Sequence, residues 1–323
     1  MVHRFKHLKA KSVADAVRQL AAPGARIHAG GTDLLGCLRD ETFTAETLVS
    51  ISGLKELKGI SSPPAGGLRI GALTTNAEVA GSAVINERYN GLAQAAAAVA
   101  SPQLRNQGTI GGNICQKPRC WYYRGEFDCA RKGGDTCYAV SGENQYHAIL
   151  GGEGCYYVHP SDTAPALTAL GARVRIASVG GTRLVPIAAF YMPPSKSVTR
   201  ETVLERNEVV TEILLPPSEP GLRSSYRKVR ARGAWDFALA GVALALLVDG
   251  GTVKRARIVL SGVAPMPWRA EAAELAITGK TLTPATVEAA AEAAVKDAQP
   301  LEKNAYKIPL VKGVLTESLL AMA

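Results

Sequence analysis

Behind Ser12, the apolar residues Ala14, Val17, Leu20 and Ala21 share one helical face, and Pro23-Gly24 breaks the pattern. That predicts a helix capped by Ser12 and stopped after Leu20. Ala25 to Ala29 reads as a short strand running directly into Gly30-Gly31, Leu34 to Leu38 as a short helix, and Leu48 to Ile51 as the next strand. Residues 4–52 therefore read as βα followed by αβ. Ser61-Ser62-Pro63-Pro64 and Gly66-Gly67 then interrupt the chain as a hairpin turn or a domain boundary. Leu68 to Leu73 is a strand, and Thr75 can cap a short helix carrying Ala77, Val79 and Ala80. Tyr89 to Val99 is an alanine-rich helix ended by Ser101-Pro102, small enough along its length for a neighbour to approach closely.

Regular patterning resumes at Asp162, with a helix to Leu170 and strands at Arg173 to Ala177, Arg183 to Pro186 and Glu208 to Leu215. Pro216-Pro217 closes this part. Ser224 to Val229 and Ala238 to Val248 read as strands, and Asp249-Gly250-Gly251 turns the second into Val253 to Gly262. Helices follow at about 269–278, 284–297 and 313–322. A sheet followed by helices is an α+β arrangement.

Composition adds limits rather than chemistry. The 323 residues suffice for two or three domains, and 47% hydrophobic content suits a soluble globular chain. No apolar run approaches the roughly 20 residues that span a bilayer. The N-terminal MVHRFKHLKAKSVADAV lacks the apolar core of a signal peptide, so the cytoplasm is expected, or the periplasm if a partner subunit carries the chain there. A net charge of +9 raises nucleic acid as a partner, but the basic residues are scattered and no nucleic-acid motif appears. A basic surface suited to an acidic partner subunit fits better.

The candidate chemistry lies in two glycine turns and a cysteine-rich stretch. Ala29-Gly30-Gly31-Thr32-Asp33 follows a strand but is neither GxGxxG nor a P-loop. Thr109-Ile110-Gly111-Gly112-Asn113 is a second such turn about 80 residues later. Each offers backbone N–H groups and a hydroxyl, and two such loops can clasp one pyrophosphate. The glycines are expected to supply close backbone approach and, at Gly111 or Gly112, positive φ. Either turn alone is also an ordinary strand end.

Cys120 to Cys155 holds four of the six cysteines. There is no CxxC, which argues against a zinc ribbon, and close-spaced cysteines in a reducing compartment are more often ligands than disulfides. Four thiolates on a long glycine-bearing loop suit a [4Fe–4S] cluster, which needs four cysteines but no fixed spacing. Cys37 lies in an apolar segment as a buried thiol, and Cys115 follows TIGGN closely enough to belong to the scaffold. Cys120, Cys129, Cys137 and Cys155 remain as ligands; His147 and His159 are alternatives, and unligated thiols are the bland one. Trp121, Tyr122 and Tyr123 can shield a cluster or face a partner.

AGGTDLL, TIGGN, SDTAPAL (161–167) and KVRARGAWDFA (228–238) occur in the order that resembles the flavin-binding medium subunits of molybdenum hydroxylases, the carbon monoxide dehydrogenase and xanthine dehydrogenase flavoproteins. The cysteine insert, absent from most of that family, resembles the flavin subunits of 4-hydroxybenzoyl-CoA reductase and of some aldehyde oxidoreductases. RCWYY and GGDTC look particularly like the reductase branch.

The resemblance implies a vanillyl-alcohol-oxidase-type FAD domain of two α/β subdomains, residues 1–58 and 59–217, with an iron–sulfur insert at about 115–157. An α+β domain over 218–323, with an antiparallel sheet and helices, follows. It further implies FAD on Ile27, His28, Ala29, Gly30, Gly31, Thr32, Asp33, Leu34, Thr109, Gly111, Gly112 and Asn113. Asp162, Val210 and Lys228 match positions near the flavin; without the resemblance Asp162 reads as a helix cap and Lys228 as a solvated charge. No catalytic residue for an organic substrate is implied. Molybdopterin and a [2Fe–2S] cluster have no pattern here and are expected on a large and a small partner subunit, with an external electron donor or acceptor. Because both glycine turns lie outside the insert, FAD is expected to stay when the cluster is lost. Two other readings are a stand-alone FAD oxidase of the same fold and a zinc-stabilised, non-enzymatic interaction module.

Overall fold

The computed structural model describes residues 4–323. Three sheets follow one another along the chain. The first contains β1 (Lys6–Lys9), α1 (Val13–Leu20), β2 (Ala25–His28), α2 (Leu34–Arg39) and β3 (Thr47–Ser50). Its strands run parallel in the order β1-β3-β2, so α1 is a crossover. Ser12 caps α1 by accepting from the Asp15 N–H at 3.1 Å. The buried face is Ala16, Val17 and Leu20; Ala14 and Ala21 face out. The buried face is thus rotated from the Ala14–Val17–Leu20–Ala21 face that the sequence predicts, because alanine is too weakly apolar to fix it.

The second unit places β4 (Ile60–Ser61), β5 (Leu68–Gly71), β6 (Arg173–Ser178), β7 (Gly181–Pro186) and β8 (Val209–Leu215) in one antiparallel sheet, β4-β5-β8-β6-β7. The break at 61–67 is the β4–β5 hairpin. Helices α3 (Asn76–Gly81), α4 (Ala83–Arg88), α5 (Asn90–Ala97), α6 (Pro102–Gln107), α7 (Ile110–Ile114), α8 (Trp121–Arg124) and α9 (Thr163–Ala169) lie between β5 and β6. Helix α5 stops at Ala97, before Ser101-Pro102, which instead starts α6: Ser101 accepts from Leu104 N, and Pro102 stands at the first helical position. TIGGN is likewise the start of a helix, α7, and not a loop turn.

The third unit is an antiparallel sheet, β12-β11-β10-β9, built from β9 (Leu222–Val229), β10 (Ala240–Asp249), β11 (Thr252–Ser261) and β12 (Trp268–Arg269). Helices α10 (Glu271–Ile277), α11 (Pro284–Ala294) and α12 (Lys307–Leu320) share a core with this sheet. Helix α12 begins six residues earlier than its pattern suggests, running through Gly313, whose missing side chain would meet open space. The small residues of α5 act as expected: a Cβ on Gly91 would lie 3.0 Å from Ser225 N, and Gln94 accepts from Tyr226 N at 2.8 Å. So α5 seats the second unit directly against β9. Among the described residues, no helix is long and apolar enough to cross a membrane.

Candidate functional site

The two glycine turns abut. A Cβ on Gly30 would stand 2.0 Å from Gln107 O, and Gln107 Nε2 donates to Gly30 O at 3.3 Å. Gly31 adopts φ +74°, which favours glycine. Ile27, His28 and Ala29 lead from β2 into this turn, Thr32 faces Gly108, and Leu34 opens α2. At the second turn, Thr109 Oγ1 accepts from Gly112 N at 3.2 Å as the cap of α7. Neither Gly111 nor Gly112 has positive φ, contrary to expectation, because both belong to a right-handed helical turn. Their absent side chains serve approach instead: a Cβ on Gly111 would sit 2.8 Å from the Ala72 side chain, whereas one on Gly112 would meet Thr109 Oγ1 at 3.1 Å.

Asp33 is already engaged. It accepts from Lys117 N at 2.8 Å and pairs with Arg119 at 2.8 Å and Arg124 at 2.9 Å. Arg124 reaches Asp40 as well, so one guanidinium grips both ends of α2. The cysteine insert thus buttresses the first glycine turn, and the two are not independent.

From the second turn the polar contacts lead inward. Asn113 Oδ1 accepts from Ser161 Oγ at 2.6 Å and Thr163 Oγ1 at 2.7 Å. Asp162 makes no cap bond to α9. Its carboxylate accepts from Tyr226 and from Lys228, each at 2.8 Å, and both charges are almost wholly buried. Burial raises the Asp162 pKa despite the opposing pull of Lys228 and Tyr226. Lys228 also donates to Ala98 O at 3.2 Å. Val210 stands in β8 opposite Ile176 and packs into the large core.

A cavity of about 210 Å³ opens beside Ser161 and Asp162, with Trp121, Tyr146 and Phe237 among its walls. His159 lines it, is 5% exposed, and leaves Nε2 without a partner. Burial holds the His159 pKa down near 4 against an ordinary 6.5. The folded value lies below the unfolded one, so His159 contributes stability fully present above pH 6.5 and lost as the pH falls toward 4. Between pH 7 and pH 5 this amounts to about 2 kcal/mol. Urea unfolding of wild type and His159→Phe at both pH values should show that extra acid loss in the wild type alone. Equal losses in both would contradict it.

Cys120, Cys129, Cys137 and Cys155 line one small pocket with Tyr122, Tyr123, Arg131, Tyr138, His147 and Tyr157. Cys37 and Cys115 do not. Both have their thiol pKa raised by burial, to about 11 and about 12. Trp121 faces the larger cavity instead, and of the two candidate histidines His147 reaches the sulfurs while His159 does not. The backbone N–H groups of Tyr122 and Tyr123 favour the thiolate of Cys120, those of Ala139, Val140 and Tyr156 the thiolate of Cys137, and that of Tyr157 the thiolate of Cys155. Cys137 is held below the ordinary thiol range, first by the Cys155 side chain and then, against burial, by those N–H groups. Burial pushes Cys120 up to about 11. Four sulfurs and their N–H donors form a set suited to thiolates; no three His, Cys, Asp or Glu side chains among the described residues close on a single-ion site.

The insert is held from both sides. Arg131 crosses the pocket wall over the Tyr157 ring, 4.3 Å from its centroid, and pairs with buried Glu201, which also binds Lys117. On the other side Asn304 donates to His147 O at 3.1 Å, and buried Lys307 donates to Tyr146 O and Gly262 O. Burial lowers the Lys307 pKa to about 7. Neither Glu201 nor Lys307 was signalled by the sequence, since their partners lie tens of residues away.

Residues 3–218 match the FAD binding domain in molybdopterin dehydrogenase, and residues 224–322 the CO dehydrogenase flavoprotein C-terminal domain. The chain is 39% identical over 301 residues to the aldehyde oxidoreductase FAD-binding subunit PaoB of Escherichia coli strain K12, covering 92% of this chain and 91% of that one. It is 32% identical over 302 residues to the carbon monoxide dehydrogenase medium chain of Hydrogenophaga pseudoflava, covering 93% and 88%. The solved carbon monoxide dehydrogenase of that organism, lacking the Mo-pyranopterin moiety of its cofactor, superposes with a TM-score of 0.80 at 31% identity, covering 99% and 98%.

Proposed function

This chain belongs to the FAD-binding subunits of the molybdenum hydroxylases, oxidoreductase components by family, and we propose that it is an electron-transfer subunit carrying both FAD and a [4Fe–4S] cluster. The observation that carries the second cofactor is the convergence of Cys120, Cys129, Cys137 and Cys155 on one pocket. Cys120 and His147 also line the neighbouring cavity, so the two sites share a wall. FAD would lie with its pyrophosphate on the abutting turns at 30–33 and 109–113 and its ring in the cavity beside Asp162. There Lys228 fixes the Asp162 carboxylate, and His159 Nε2 is left free to bond a polar ring edge. The aromatic walls exclude water, and Arg131, Tyr123 and Tyr157 shield the sulfurs. When bound, the cluster passes single electrons and the flavin one or two.

Relatives described as a subunit or a medium chain are parts of multi-chain enzymes. By analogy the partners are a molybdenum-cofactor large subunit, a [2Fe–2S] small subunit and an external electron donor or acceptor. The cytoplasm suits cysteines kept for a cluster.

Iron per FAD tests the assignment. About four irons per FAD are expected in the wild type, and none after Ser replaces Cys120, Cys129, Cys137 or Cys155. Cys37→Ser and Cys115→Ser should keep all the iron. Because Arg119 and Arg124 brace Asp33, the iron-free variants should also hold FAD more weakly. Zinc in the wild type, or iron lost with Cys115 and kept without Cys120, would overturn the ligand set.

A further inference from the structure

We infer that His147 is a positioning residue for the cluster, donating its Nε2–H to the Cys120 sulfur and raising the potential at which the cluster accepts an electron. This rests on the cluster reading above. His147 Nε2 lies 3.3 Å from Cys120 Sγ. A cluster-bound thiolate carries no proton, so it can only accept, and the ring nitrogen must donate. His147 Nδ1, the nitrogen then left with a lone pair, is the buried atom that has no partner. The ring is held where it is: His147 N donates to Asn144 O at 2.9 Å, Asn304 holds its carbonyl, and the residue is 4% exposed.

The position is as informative as the bond. Of the residues in the sulfur pocket, Cys120 and His147 are the two that also line the larger cavity. The hydrogen bond therefore falls on the ligand nearest the proposed flavin ring. An N–H donor favours whichever state puts more negative charge on the sulfur, and reduction adds one electron to the cluster. Hydrogen bonds to charged groups are worth enough to change that equilibrium about tenfold.

The test uses the holo-subunit with its native partners, in wild type, His147→Leu and His147→Gln. Electron paramagnetic resonance during redox titration gives the cluster midpoint, alongside iron per FAD and the flavin potential. His147→Leu should keep its iron while reduction of the cluster becomes about tenfold less favourable, 59 mV for a one-electron couple. His147→Gln, which keeps an N–H donor, should recover most of the shift, and the flavin potential should stay put. An unchanged midpoint in His147→Leu with iron retained, or equal shifts in both variants, would overturn the inference. If Leu loses iron, Gln decides: retained iron at a near-wild-type midpoint supports the role, and loss in both contradicts it. A wild type without iron would instead remove the cluster reading, and this inference with it.

Discussion

Lys228→Met should lose most of its FAD and about 3–5 kcal/mol of stability, the usual result of removing one partner from a buried ion pair. The change leaves Asp162 buried with the Tyr226 hydroxyl as its remaining donor. That carboxylate sits at the start of α9, between the Ser161–Asn113 contact and the cavity, so its displacement disturbs both ends of the proposed flavin site. The double variant Lys228→Met/Asp162→Leu removes both charges and should regain much of the stability but not the FAD. Urea unfolding and flavin absorbance separate the two effects. Full FAD content in Lys228→Met would place the flavin elsewhere.

Glu201→Gln should be comparably damaging, about 3–5 kcal/mol, and should cost iron. Glu201 is 5% exposed and neutralises Arg131, whose side chain is 1% exposed, as well as Lys117. Gln can accept a hydrogen bond but leaves two cations uncompensated beside the sulfur pocket. Burial pushes the Glu201 pKa up, but Lys117 and Arg131 together outweigh it and hold it below the ordinary 4.5. Its stabilisation is thus complete above pH 4.5 and is lost as the pH falls through the folded value. Thermal melts of the isolated subunit with iron analysis check this. A loss under about 1 kcal/mol with iron intact would show that the insert is held by other contacts.

Local signals were legible and distant ones were not. Ser12 and Thr75 cap the helices that follow them, since capping needs only a few neighbouring residues. Gly250-Gly251 turn β10 into β11 as their sequence suggests. Cys120, Cys129, Cys137 and Cys155 line one pocket, and Cys37 and Cys115 lie outside it, where their apolar and glycine-turn contexts put them. Asp162 shows the limit: position alone made it a helix cap, and only tertiary structure brings Tyr226 and Lys228 to its carboxylate. Asp33 shows another: AGGTD reads as a ligand turn, yet its carboxylate is taken by Arg119 and Arg124 from the insert. Those contacts also tie the first glycine turn to the cysteine-rich stretch, which spacing along the chain could not reveal.

On the proposed reading, this one chain holds two redox centres that share a wall. Anaerobic reductive titration of the purified holo-subunit, followed by flavin absorbance and electron paramagnetic resonance, tests it directly. About three electrons per FAD are expected, two for the flavin and one for the cluster, with an iron–sulfur signal appearing on reduction. Uptake of two electrons per FAD with no such signal, from protein whose iron has not been lost in handling, would contradict it.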